Sequence, residues 1–302
     1  ATWGVASKTT RGTTTTTTTQ KEAAPRISTT LWRHQAEARD KVLEGIRSGK
    51  RGFADASTVG AGKTLTALAC VAAANALLRE TAVERRGALV LCPTNALIAE
   101  WVQQAMLHTS GFEVVVQRQN GALTSKGSSG PPSSKSTKKR TVVELGPRSL
   151  VITTLARHRE HPFTQQPGWD LVVIDECLSV QSDSAMQAAE AWRSVVASRC
   201  GCLLLSATLF RSSYAKLFYM IRMLRSPLPR TPSYLPALLK EHVCCFVPSS
   251  RRSWKLAFEK IPLPSKVEKA YKSRVDAFAA SRKSSSSSSS SPRDLYVTLK
   301  KF

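Results

Sequence analysis

Ser57-Thr58-Val59-Gly60-Ala61-Gly62-Lys63-Thr64 stands between a short run, Arg51-Gly52-Phe53-Ala54-Asp55, and a stretch of helix formers from Leu65 to Leu78. Two glycines allow a tight arc of backbone whose N–H groups point inward, a cradle for phosphate oxygens. A helix opening directly after the arc adds the partial positive charge of its N-terminus. In such a loop Lys63 reaches the β- and γ-phosphates and the Thr64 hydroxyl holds Mg²⁺. Gly60, Ala61, Gly62, Lys63 and Thr64 are therefore the expected nucleotide-binding residues. The common pattern has glycine where Ser57 stands. A plain Gly-Lys-Thr turn is the bland alternative, and the strand before and helix after it argue for the phosphate loop.

Outward from the loop, short apolar runs alternate with helical patterns. Upstream, residues from Leu31 to Ile46 carry Ala38, Val42, Leu43 and Ile46 at helical spacing. Downstream, Ala88–Cys92 is continuously apolar and ends at Pro93, as an interior strand of a parallel sheet requires. Asn95–His108 reads as a helix and Phe112–Val116 as a strand. Leu150–Ile152, Trp169–Ile174 and Leu203–Leu205 read as further strands. Helical stripes follow the last two: Ala185, Ala188, Ala189, Trp192, Val195 and Val196, then Tyr214, Leu217, Phe218, Ile221 and Leu224. Strands alternating with helices over residues 50–225 imply a three-layer α/β domain with a mostly parallel sheet.

Two further strand ends carry chemistry. Asp175-Glu176 follows Leu171–Ile174 directly, and adjacent carboxylates at the end of a buried strand suit metal and water chemistry better than stability. Asp175 is expected to bind the nucleotide's Mg²⁺, and Glu176 to orient and deprotonate the attacking water. Ser206-Ala207-Thr208 closes the run Leu203–Leu205. A phosphate loop, an acid pair and a hydroxyl pair in this order are more specific than any one of them.

The 302 residues carry a net charge of +23, which points to a polyanionic partner, nucleic acid first. A basic tail explains only part of that charge, because no acid occurs between Glu190 and Glu241. The seven cysteines form no pair of Cys-x-x-Cys motifs, which argues against a zinc site, and Cys70 and Cys92 read as buried thiols of a reducing compartment. No apolar run approaches the length of a membrane span. The chain opens on Ala1, which reads as a fragment or a processed chain. Residues 1–21 lack an amphipathic period and read as plain disorder rather than a mitochondrial presequence.

Taken together these motifs resemble the nucleotide-binding lobe of superfamily-two helicases, closest to the Swi/Snf-type DNA translocases, over about residues 31–280. Leu31-Trp32-Arg33-His34-Gln35 is similar to the family's adenine-reading segment, which implies that Gln35 contacts the base. Leu91-Cys92-Pro93-Thr94 and Ile152-Thr153-Thr154 are similar to segments that grip the nucleic-acid backbone, implying contacts from Pro93, Thr94, Thr153 and Thr154. Ser206 and Thr208 stand where the family couples hydrolysis to movement. Leu209–Ser212, Met220–Leu224 and Ile261–Pro264 favour the Swi/Snf branch. Leu178 replaces the usual histidine of Asp-Glu-x-His, the residue that links the acid pair to the third motif. No second lobe is read after the first, and in the resembled family that lobe supplies arginines worth on the order of 10³-fold or more in rate.

The resemblance implies a RecA-like P-loop lobe, with Lys63, Asp175 and Glu176 catalytic, Thr64 and Asp175 on the metal, and ATP and Mg²⁺ as cofactors. Its expected partners are duplex DNA and a second helicase lobe, with no membrane; its expected compartment is the nucleus, with the mitochondrion as the alternative. The rival readings are a nucleotide-responsive DNA-binding module whose coupling has decayed, and an RNA helicase. The expected domains are a disordered tail over 1–29, the ATP-binding lobe over 30–226 with a basic disordered insertion at 118–141, a lobe extension over 227–281, and a Ser-rich linker from 282 to 302.

Overall fold

A computed structural model of the chain describes residues 24–79, 84–126, 143–164, 167–182, 186–211, 213–248 and 264–284. The chain divides into two units, Ala1–Ser249 and Ser250–Phe302. In the first unit the elements run β1 (Arg26–Ile27), α1 (Arg33–Arg47), β2 (Gly52–Asp55), α2 (Lys63–Leu77), β3 (Ala88–Cys92), α3 (Asn95–His108), β4 (Thr109–Ser110) and β5 (Glu113–Gln117). They continue with β6 (Leu123–Lys126), β7 (Ser149–Thr154), α4 (Leu155–Glu160), β8 (Leu171–Ile174), α5 (Met186–Ala197), β9 (Cys202–Leu205), α6 (Tyr214–Ile221), α7 (Leu235–His242) and β10 (Val243–Cys244).

Eight strands form one sheet in the order β10-β2-β9-β8-β3-β7-β5-β6, parallel throughout except for the β5–β6 edge pair. The interior strands are apolar on both faces because both are covered. Val90 of β3, Val173 of β8 and Leu203 of β9 pack in one cluster with Leu68 and Val71 of α2 and Trp101 of α3. Their sequence neighbours Leu89, Val172 and Leu204 pack in a second cluster with Val195 of α5 and with Leu217 and Met220 of α6. Each such side chain withdrawn from water contributes on the order of 2 kcal/mol, so the alternation that builds the two clusters also fixes the strand register. This is the expected three-layer α/β architecture, with a mostly parallel sheet.

The structure departs from the sequence reading at the edges. Residues 26–27, assigned to the tail, pair with 109–110 as a two-stranded ribbon. Residues 123–126, assigned to the insertion, form an antiparallel edge strand on β5. A four-residue polar strand is too short for periodicity to reveal, and it exists only because β5 presents an open edge. His242–Val247, which reads from its residues as a strand, forms one only at Val243–Cys244, preceded by α7 and paired with β2. Leu256–Ile261 and Asp294–Phe302, which the sequence reads as strands, and the linker beyond 284 lie outside the described residues. The second unit contributes α8 (Ser265–Ser284), whose Glu268–Lys272 pair at 2.8 Å is a solvated i,i+4 contact of small worth.

Candidate nucleotide cleft

All parallel strands release the chain at the same edge, so β2, β8 and β9 bring their carboxyl-terminal motifs together. β2 ends at Asp55, whose Oδ1 accepts from Ser57 N at 2.9 Å and turns the chain into the phosphate loop. Gly60 and Gly62 both take positive φ, 81° and 76°. A Cβ on Gly62 would stand 2.3 Å from Gln35 Nε2, a side-chain end able to shift, so it is the positive φ that requires glycine there. Gly62 ends the arc as the cap of α2, and Lys63 Nζ donates across the loop to the carbonyls of Ser57 and Thr58 at 2.9 and 3.2 Å. Ala61 and Thr64 complete the loop, Ala61 buried and Thr64 partly exposed.

The acid pair and the hydroxyl motif meet beside it. Ser206, at the end of β9, donates its N–H to Asp55 O at 3.2 Å, and its hydroxyl lies 3.4 Å from Glu176 Oε2. One residue thus touches the strand that delivers the loop and the carboxylate expected to handle water. Asp175 N donates to Leu91 O at 2.9 Å, its Oδ1 accepts from Glu176 N at 2.9 Å, and its Oδ2 accepts from Trp101 Nε1 at 2.8 Å. Both carboxylate oxygens are therefore held by fixed donors. Glu176 sits in the left-handed region, φ 45° and ψ 60°, which costs a non-glycine residue on the order of 1 kcal/mol and turns its side chain out beside Ser206. Burial, reinforced by Asp175 for Cys92 and by Glu176 for Cys177, pushes both thiols well above the ordinary range and keeps them inert.

Several residues stand elsewhere than the sequence reading has them. Gln35 lies beneath the loop, almost fully buried, with Nε2 on the carbonyls of Ala61 and Gly62 at 3.2 and 3.4 Å and Oε1 on Trp32 N at 2.9 Å. Its amide shapes the loop rather than opening onto a base. Pro93 and Thr94 reach solvent just before α3, as a nucleic-acid contact needs. Thr153 and Thr154 do not: both are buried, Thr153 donating to Gln117 Oε1 at 2.7 Å and Thr154 capping α4 through Arg157 N at 3.2 Å. The end of β7 carries them inward because β5 and α4 cover it. Thr208 is exposed, and its N–H and carbonyl both bond the Ser206 hydroxyl, at 3.2 and 2.8 Å.

Sequence reasoning missed three residues of this cleft. Trp101 falls on the same helical stripe as Ile98 and Ala105 and reads as core, although a buried indole N–H needs an acceptor somewhere. His34 donates from Nε2 to Ala61 O at 2.9 Å, and its ring stacks on Phe246 at 3.9 Å and 10°. Phe246 in turn accepts from Thr58 N and donates to Ser57 Oγ, both at 3.0 Å, so the segment after β10 runs alongside the phosphate loop. A cavity of about 460 Å³ opens there, lined by His34, Lys41, Ser57, Cys245 and Phe246 among others. Nothing local in the sequence near Phe246 marks it as part of a site.

A phosphate loop, a strand-end acid pair and a strand-end Ser-Ala-Thr in one crevice define an ATP-binding lobe of the superfamily-two helicase type. A sequence profile of the DEAD/DEAH box helicase family matches residues 32–217, more than half of the chain, and the chain belongs to that family of ATP-hydrolysing helicases. It is similar, at 35% identity over 253 residues, to a protein of Acanthamoeba polyphaga mimivirus named "Putative helicase L115". The match covers 83% of this chain but 18% of that protein. Among solved structures the Swi2/Snf2 ATPase core of Sulfolobus solfataricus, determined in complex with double-stranded DNA, superposes with a TM-score of 0.53 at 14% identity. It covers 88% of this chain and 56% of that one, which identifies the fold as RecA-like.

Among the described residues no helix is long and apolar enough to cross a membrane. Nor does any cluster of three or more His, Cys, Asp or Glu side chains offer an all-protein metal site.

Proposed function

We propose that this chain is the nucleotide-binding lobe of a Swi/Snf-type translocase that couples Mg·ATP hydrolysis to movement along duplex DNA. The observation that carries the reading is Ser206, bonded to the loop-bearing strand through Asp55 and facing the Glu176 carboxylate. The Asp175 carboxylate and the Thr64 hydroxyl are hard oxygen donors suited to Mg²⁺, which keeps most of its coordination for phosphates and water. When bound, the ion neutralises charge developing on the transferred phosphoryl group. The chain's own residues do the rest. The loop amides cradle phosphate, Lys63 leaves the Ser57 and Thr58 carbonyls for the phosphates, and Glu176 orients and deprotonates water. Trp101 keeps Asp175 aimed, and the cavity beside His34 and Phe246 receives the base.

The DNA limb of the proposal rests on the charge of +23, on exposed Pro93 and Thr94, and on likeness to a lobe fold solved on double-stranded DNA. The rival reading, a module that binds nucleotide without coupling, is favoured by Leu178, which packs against the core where the family has histidine. The direct Ser206–Glu176 contact weighs against it, since it links the acid pair to the third motif without position 178.

The decisive test is Lys63→Ala in the 302-residue chain. Affinity for a fluorescent ATP analogue should fall at least ~10-fold and phosphate release should reach background, the lysine being a direct phosphate ligand. Unchanged binding and turnover would refute the reading. Wild-type turnover should itself be weak without the second lobe's arginines, and full DNA-stimulated rates from these residues alone would sink that part. Binding to duplex DNA should weaken steeply with salt, and preference for RNA over the duplex in competition would favour the RNA-helicase alternative.

A further inference from the structure

A second cavity, of about 420 Å³, lies between α5, the turn Arg222–Leu224 and the segment Ser226–Arg230. It opens at the other end of the sheet from the nucleotide cleft. Leu224 packs its backbone on Gly52, the first residue of β2, where a Cβ would come within 2.3 Å of Leu224 Cα. Cys202, the first residue of β9, donates its thiol to Met223 O at 3.1 Å. A four-residue strand at ~3.3 Å per residue therefore separates this wall from the phosphate loop.

Three arginines line the cavity, Arg222, Arg225 and Arg230. Arg222 is held in place by aromatic rings: its guanidinium lies 3.8 Å from the Tyr219 centroid and 5.0 Å from that of Trp192, and Nη2 donates to the Tyr219 hydroxyl at 2.8 Å. Arg225 takes φ 52°, one of two described non-glycine residues in the left-handed region, the other being Glu176 of the nucleotide cleft. Backbone strain of this kind clusters at functional sites. Elsewhere Arg33, Arg39, Arg159 and Arg193 each pair with a carboxylate one to four residues away. Among the described residues the three cavity arginines have no such partner, and the 50 residues between Glu190 and Glu241 hold eight bases and no acid. Between the arginines Trp192 and Leu228 stay partly exposed, beside Ser226, Pro227 and Pro229, with buried Ile221 and Leu238 behind them.

We propose that this cavity docks an acidic peptide segment of a partner protein, one that carries an aromatic or aliphatic anchor among its carboxylates. Guanidinium groups recognise carboxylates through paired, charge-assisted hydrogen bonds, and the partly exposed Trp192 and Leu228 take a single anchor. A rigid duplex lies along surfaces and cannot enter a recess of this size. An inorganic anion is far too small to fill it and would leave Trp192 and Leu228 wet. The site is independent of ATP chemistry and stands whether or not the translocase reading does.

The test uses fluorescein-labelled Glu-Glu-Phe-Glu-Glu-Leu and its Glu-Glu-Ser-Glu-Glu-Ser counterpart in anisotropy titrations with the whole 302-residue chain. The first peptide should bind at least ~10-fold more tightly than the second, because only it supplies the anchor. The variant R225E/R230E should lose ~10-fold or more of that affinity. R26E/R159E, an equal change of charge at exposed positions elsewhere, should lose little and thereby subtract the general attraction of a basic protein. Equal binding of the two peptides, or equal losses in the two variants, would overturn the proposal. So would a single-stranded oligonucleotide that binds more tightly than the anchored peptide and is the more weakened by R225E/R230E, since the cavity would then serve nucleic acid.

Discussion

At the carboxyl ends of β2, β8 and β9 the chain leaves the sheet through Asp55, Asp175 and Ser206; at their amino ends it enters through Arg51, Asp170 and Gly201. The exits leave space. Nothing lies within 4 Å of where a Cβ on Gly60 would stand, and Glu176 projects from a strained turn into the open crevice. The entries are filled. A Cβ on Gly201 would stand 1.5 Å from Arg51 O, and Asp170 is buried with Asn75 at 3.0 Å and Arg85 at 3.6 Å. Burial pushes the Asp170 carboxyl up to about 6 even with Arg85 opposing it. A parallel sheet thus separates two tasks: its amino edge is packed for stability, and its carboxyl edge is kept open for chemistry. The arginine pocket is the exception at the filled edge, which is why it invites a ligand.

Glu176→Gln should break the open edge with the largest effect. ATP turnover should fall by ~10²- to 10⁴-fold, the usual worth of a positioned base, while nucleotide affinity holds. Equal losses in both would mean that Glu176 shapes the site rather than acting in it.

Gly201→Ala should do the reverse. It forces a methyl into the Arg51 carbonyl at a φ of 82° and should cost roughly 3 to 4 kcal/mol, lowering the unfolding midpoint by about 10 °C. Residual folded protein should bind nucleotide normally, and a selective loss of binding would contradict the division between the edges.

His158 probes the core beneath both edges. Its Nε2 meets Ser194 Oγ at 2.9 Å, and burial lowers its pKa to about 4 from 6.5, with Glu190 opposing. A histidine whose folded pKa is depressed contributes stability that is complete above pH 6.5 and is lost as pH falls toward 4, up to about 3 kcal/mol. His158→Gln should flatten stability across that window, measured by urea unfolding at several pH values. An unchanged slope would place the acid sensitivity elsewhere.

Trp101→Phe should give the smallest effect, a loss of about 10-fold in the Mg²⁺-dependent part of nucleotide affinity, the worth of one charge-assisted hydrogen bond. Affinity in EDTA should not change. Trp169→Phe, an equally buried indole outside the cleft, should leave both values alone and so separates aiming of Asp175 from packing.

Much of the fold was legible because its signals are local. β3, α3 and β9 fall within a residue of where apolar runs and helical spacing put them. That the phosphate loop, the acid pair and Ser206 gather at one sheet edge was legible because each follows a strand, and parallel strands must gather their ends. Thr153 and Thr154 were misread as surface contacts because a hydroxyl pair at a strand end looks the same whether or not a neighbouring strand and helix cover it. Residues 26–27, 123–126 and 243–244 were misread or trimmed because two to four residues carry no period.

The amino-acid order by itself determined the alternation of strand and helix, the three chemical motifs and the excess of positive charge, since all are properties of neighbours along the chain. Tertiary structure alone decided that Trp101 holds Asp175 from 74 residues away, that Phe246 lines the phosphate loop from 188 residues beyond Thr58, and that three arginines face one recess without an acid. Those contacts depend on which strands become neighbours and which faces the helices cover. That choice is made by burial summed over the whole domain, and no single stretch of residues records it.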